Sequence, residues 1–126
     1  MARYLVIRGE EAELKVELGN GPTAEEIWDR LPLEARANLW GDEVYFAIPV
    51  SVGPEADARE TVEVGDVGYW PPGNALCLFF GPTPASVDEK PRAASPVTVV
   101  GKIVEGLDST KLVESGETLR VEDVEE

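Results

Sequence analysis

Few residues in this chain are equipped for chemistry. Its one thiol, Cys77, lies in the run Ala75-Leu76-Cys77-Leu78-Phe79-Phe80. Leucines flank it and no neighbouring cation would lower its pKa, so it reads as an inert core thiol. Two adjacent carboxylates, Asp42 and Glu43, invite an acid–base or metal reading. With no third ligand in sight, both read as solvated turn residues and no metal is expected. There is no histidine, which removes the commonest general base, metal ligand and pH switch together. Gly65 and Gly73 suit turns and no phosphate-loop spacing occurs, so no cofactor is expected. Arg36, Arg59 and Arg92 are the cations considered as donors to a bound substrate. Arg92 is the best of them, because its proline-rich loop has no other evident role. The most distinctive residues are aromatic. Tyr69-Trp70-Pro71-Pro72 sets a tryptophan beside two prolines, a stiff surface that loses little entropy on binding. With Tyr45 and Phe80 it could line a groove for a peptide or small apolar molecule. The competing reading has Trp70 plugging one end of the core.

Holding such a surface in place takes a folded body, and the composition supplies one. The chain has 126 residues, 43% hydrophobic and 29% charged. That is enough for one core, and it reads as a single domain over 1–126. Lys+Arg is 11 against Asp+Glu 25, a net charge of −14. A phosphate backbone would be repelled, so nucleic acid is not an expected partner. One cysteine allows no internal disulfide and fits a reducing compartment. The apolar runs are too short for a signal-peptide core or a membrane span, so the expected location is cytoplasmic with no membrane partner.

The elements follow from periodicity. Residues 4–8 are rich in β-formers, and Leu14, Val16 and Leu18 alternate with charged residues, which predicts a hairpin. Thr23 and Glu26 match a capping box ahead of a helix carrying Ala24, Ile27 and Trp28, ended by Pro32. Residues 35–39 form a weak strand. Val44, Phe46 and Ile48 alternate as a clear one. An acidic loop over 51–65 carries an edge strand near 61–64. Residues 67–70, 75–80, 97–104 and the stretch around Leu119 and Val121 complete the strands. A loop fills 81–96. A short helix over 106–113 has Asp108 as its expected cap. The total is about eight strands and two short helices, a mainly β chain for which a closed barrel removes exposed edges. Alternation places Val44, Phe46, Cys77, Phe79 and Val99 in one core, with Leu78 and Phe80 facing away from it.

The stretch 74–81, then a loop, then Val97-Thr98-Val99-Val100-Gly101-Lys102-Ile103-Val104-Glu105-Gly106-Leu107-Asp108, resembles cyclophilins. A closer resemblance is to small prokaryotic cyclophilin-like proteins of unknown function. It rests on Trp40-Gly41-Asp42-Glu43-Val44-Tyr45-Phe46 and on Gly65-Asp66-Val67-Gly68-Tyr69-Trp70-Pro71-Pro72-Gly73. The fold implied is a closed eight-stranded cyclophilin-like barrel capped by two short helices. The activity implied by the wider family is prolyl cis–trans isomerisation. It must lower an amide barrier of ~18–20 kcal/mol by holding the proline in an apolar pocket and aiming a donor at its nitrogen. Alignment on Ile48-Pro49 puts the family's arginine position on Phe46, or on Tyr45 after a one-residue slip. The family's histidine position falls near Val97, its second phenylalanine on Phe80, and its glutamine on Leu78. The expected function is therefore binding of a proline-containing peptide or small apolar molecule without efficient catalysis. The alternative is a weak or atypical peptidyl-prolyl isomerase. The candidate ligand-binding residues are Tyr45, Tyr69, Trp70, Leu78, Phe80 and Arg92, bordered by the 81–96 loop.

Overall fold

The computed structural model describes residues 2–125; the two end residues of the 1–126 span lie outside them. The alternating segments form the expected hairpin, β1 (Arg3–Arg8) and β2 (Glu13–Leu18). Leu5 and Ile7 lie opposite Val16 and Leu14, and all four are buried. Helix α1 (Pro22–Trp28) follows and buries Ala24 and Ile27. The expected capping box does not form. Gly21 is the N-cap, and a carboxylate from elsewhere, Glu55, accepts from the Thr23 N–H at 3.0 Å. The helix N-terminus is thus satisfied by tertiary structure.

The weak strand resolves into β3 (Leu33–Arg36) and β4 (Asn38–Leu39), parted by Ala37. Next come β5 (Glu43–Ala47), β6 (Arg59–Thr61), β7 (Asp66–Trp70) and β8 (Ala75–Phe79), with a 3-10 turn over Pro71–Gly73 between the last two. β9 (Arg92–Glu105) is 14 residues long and begins inside the segment expected to be loop. Pro96 hides this from the sequence. It lies where the β6–β9 ladder loses register, between the pairs Thr61↔Arg92 and Arg59↔Val97, a setting in which a strand tolerates a missing N–H. A 3-10 helix over Leu107–Leu112 follows left-handed Gly106, and Asp108 does not cap it. β10 (Thr118–Glu125) ends the fold.

The chain is mainly β, and its strands run in the order β3-β10-β1-β2-β9-β7-β8-β5-β4, with β6 paired to β9 off this path. The closed eight-stranded barrel is not what forms. Among the described residues there are ten strands, and no ladder joins β3 to β4 at the ends of the path. Only Ala37 separates β3 from β4, too short a connection to fold one back on the other as a ladder. The Ala37 N–H donates to Glu117 O at 2.9 Å and its carbonyl accepts from Gly116 N–H at 2.8 Å. The backbone groups at the corner are spent on the turn before β10.

The core divides in two. Opposed residues in an antiparallel pair share a face. The registers Val44↔Leu78 and Phe46↔Leu76 therefore put Leu76 and Leu78 in the main core with Val44 and Phe46. Tyr45↔Cys77 and Glu43↔Phe79 face the other way. The single core expected for Val44, Phe46, Cys77, Phe79 and Val99 is corrected accordingly. Cys77 and Phe79 belong to a smaller cluster with Val62, Ala93 and Val97, against which half-buried Val99 packs. All five residues of β8 are buried because this second cluster covers its outer face.

Candidate functional site

On that outer face the covering is incomplete. A cavity of about 220 Å³ lies between β5, β7, β8 and the start of β9. Glu43 and Tyr45 reach it from alternate positions of β5, Cys77 from β8, Trp70 from the end of β7, and Ala93, Ala94 and Val97 from β9; Trp40, in the turn before β5, completes the lining. The walls are mostly apolar, and three of the residues are aromatic.

Local structure fixes the rings. Trp70 and Tyr45 meet edge to face at 6.4 Å between centroids and 75° between planes, a favoured aromatic arrangement. The Trp70 Nε1–H donates to Ser95 Oγ at 2.7 Å, tying the indole to β9. Gly73 is needed beneath it, since a Cβ there would come within 2.7 Å of Trp70 Cε3. Trp40 is held by its N–H, which donates to Glu43 O at 2.9 Å. The intervening turn needs Gly41 at φ +61, where any Cβ would also meet Thr83 Cα at 2.9 Å.

Glu43 dominates the electrostatics. It is only 5% exposed, and its Oε1 has no hydrogen-bond partner. Burial disfavours the charged form and pushes the carboxyl up to about 7, a rise only partly opposed by its hydrogen bond from Cys77. Cys77, 2% exposed, has its thiol pushed well above the ordinary range, first by burial and then by the Glu43 charge and hydrogen bond. The thiol therefore stays protonated and is a poor nucleophile. The carboxyl can accept a hydrogen bond when ionised and donate one when protonated, and both forms exist near neutral pH.

The sequence-predicted residues separate. Tyr45 and Trp70 line the cavity. Tyr69 does not: it is fully buried in the main core, because its partner across the ladder is Leu76, and its hydroxyl donates to Val50 O at 2.6 Å. Leu78 is likewise fully buried in the main core, opposite Val44 and Val67. Phe80 is half-buried and packs on the main core. Arg92 donates to Glu60 at 2.9 Å on the β6 side, while its neighbours Ala93 and Ala94 reach the cavity. Asp42 is exposed as expected, whereas its neighbour Glu43 is buried. Sequence reasoning missed Trp40, Glu43 and the small residues of β9. One signal for Glu43 was present: it lies two residues before Tyr45, on the β5 face opposite Val44 and Phe46.

A larger groove of about 530 Å³ runs between the end of β2, residues 55–57 and β9, but it is polar and open, and its Glu55 serves as the helix cap. Among the described residues no three metal-ligating side chains converge, and no helix is long and apolar enough to cross a membrane.

Comparison with known proteins agrees with this architecture. The family model described as Cyclophilin-like matches residues 3–122. The solution structure of a hypothetical protein from Archaeoglobus fulgidus is similar, with 48% identity over 96% of this chain and 94% of that one, at a TM-score of 0.83. No curated protein matches.

Proposed function

The chain belongs to the cyclophilin-like family, and on that premise we propose that it is a binding protein whose cavity between β5, β7, β8 and β9 receives a small apolar molecule or one side chain of a peptide, without efficient catalysis. The observation that carries this reading is the roughly 220 Å³ space bounded by Trp40, Tyr45 and Trp70. Rigid, half-exposed aromatic rings around a mostly apolar concavity are what ligand sites are built from. A dry cavity of about 150 Å³ is already enough to hold benzene, so a ring or a short aliphatic chain fits here. A prolyl ring is of this size, which keeps a proline-containing peptide among the occupants.

An isomerase reading draws support from the family's fold but not from this lining. Its polar groups are a carboxyl, a thiol, a phenol and two indoles. None is a guanidinium, and Arg92 is engaged with Glu60. The test of the binding reading is a titration with proline-containing peptides and small aromatic molecules, followed by tryptophan fluorescence. Trp70 is only partly buried, so Trp70→Ala is expected to weaken the binding that Trp40 still reports while costing less than the ~3–5 kcal/mol of a fully buried aromatic. A full-sized stability loss with no response in the wild type would contradict the reading.

A further inference from the structure

One feature of the cavity is unaccounted for by apolar binding alone. A carboxyl that is 5% exposed lines a space walled by aromatic residues, and its Oε1 is buried without a partner. Buried polar atoms are almost always hydrogen-bonded, and buried carboxylates are paired with a cation. The protein gives this carboxyl a hydrogen bond from the Cys77 thiol, but no partner for Oε1 and no cation. No lysine or arginine lines the cavity. The nearest cation in sequence on β9, Arg92, is committed to Glu60.

Resting on the binding reading above, we propose that the occupant carries a protonated aliphatic amine, which donates to the Glu43 carboxyl while its methylenes and positive charge lie among Trp40, Tyr45 and Trp70. Two independent features favour a cation over a neutral donor. Aromatic rings attract a desolvated ammonium through their negative faces, tryptophan most strongly. The whole chain carries a net charge of −14, which concentrates cations at its surface and repels anionic competitors. The small residues Ala93 and Ala94 leave room for a short alkyl chain beside the carboxyl.

The arrangement couples binding to a proton. With the Glu43 carboxyl pushed up to about 7 by burial, an arriving ammonium selects the ionised form and releases the proton. The other titratable groups of the lining are Cys77, pushed further up, and the Tyr45 phenol. On neighbouring elements the charged groups are exposed Asp42, exposed Arg59 and the Arg92–Glu60 pair, Asp66 of β7 with Lys102 of β9, and exposed Glu105 at the end of β9. The chain has no histidine. An alkylamine stays protonated through this range, as lysine does with its ordinary pKa near about 10.4. Amine affinity is therefore expected to fall about tenfold from pH 8 to pH 6.

The experiment titrates the full chain with n-butylamine and with 1-butanol, following the indole N–H resonances by NMR at pH 8 and pH 6. The expected result is that the amine binds at least about tenfold more tightly than the alcohol at pH 8. It should also lose about tenfold at pH 6 while the alcohol does not change. Glu43→Gln should bring the amine down to the level of the alcohol. Equal affinity for the two probes at pH 8 would overturn the amine proposal and leave the cavity reading standing. Failure of both probes to move any indole would overturn both. If Glu43→Gln does not fold, the wild-type pH comparison decides: an amine affinity equal at pH 6 and pH 8 overturns the proposal.

Discussion

At Glu43 a single carboxyl links the chemistry of the cavity to the stability of the chain. Its folded pKa of about 7 stands above the ordinary 4.5 because burial penalises the charge. A raised carboxyl binds a proton more tightly when folded. Its stabilising contribution is complete below pH 4.5 and is lost as pH rises through 7. At ~1.4 kcal/mol per unit the loss is about 3 kcal/mol. The measurement is urea unfolding of wild type and Glu43→Gln at pH 5 and pH 8. The stability of wild type relative to the variant should fall by up to about 3 kcal/mol between them. Because the comparison is a difference, the general effect of the acidic surface and any fixed cost of the buried amide cancel. A difference independent of pH would mean that Glu43 is not desolvated in solution. Cys77 behaves at this scale as its sequence surroundings suggested, a buried thiol with an anionic rather than a cationic neighbour.

At the scale of elements, register decides which side chains reach the cavity, and one strand carries most of the lesson. Every residue of β8 is buried, so its apolar run could be assigned to either face with equal ease. What breaks the tie is the pairing Val44↔Leu78 and Tyr45↔Cys77, and that depends on a neighbour far away in sequence. The consequence is testable at Leu78. It is fully buried in the main core, so Leu78→Ala should cost ~2–5 kcal/mol in urea or thermal unfolding, with ligand response retained at permissive temperature. A loss under about 1 kcal/mol would return Leu78 to the cavity face. The same reasoning explains what was and was not legible in the sequence. The β1–β2 hairpin was readable because its outer face meets water and its alternation is clean. The aromatic pair Tyr45 and Trp70 was readable from residue type and from the stiff Pro71-Pro72 turn. Tyr69 was not, because Trp70 beside it takes the opposite face and nothing local says which of the two points inward. The first residues of β9 were hidden by prolines, and Glu43 by its place next to exposed Asp42, although its spacing from Tyr45 carried the signal. Glu55 as the cap of α1 had no local signal at all.

At the scale of the whole molecule, charge sets both stability and what the cavity can do. With 25 acidic residues against 11 basic ones, the folded surface repels itself. Raising the salt from about 0.01 M to about 0.15 M shortens the screening length from about 30 Å to about 8 Å. The melting temperature should rise over that range, and an unchanged value would show that the repulsion is already relieved by the pairing of opposite charges. Such pairing is extensive. Arg3, Arg8, Lys90, Arg92 and Arg120 each meet a carboxylate at the surface. No guanidinium lines the cavity. This bears on catalysis. Twisting a prolyl amide places a lone pair on its nitrogen, and a fixed charged donor is the most direct way to stabilise it. The cavity offers a carboxyl, which below pH 7 can donate but carries no positive charge, and above it can only accept. Removing one preorganised donor from an active site typically costs ~2.7–4 kcal/mol of barrier stabilisation, about 10²–10³ in rate. In a protease-coupled assay of an Ala-Pro peptide this chain should therefore isomerise the substrate at least about a hundredfold more slowly than an arginine-bearing cyclophilin. Any residual rate should fall as pH rises through 7, when Glu43 loses the proton it would donate. A rate near that of the arginine-bearing enzyme, flat across that pH range, would place the catalytic donor somewhere other than this cavity.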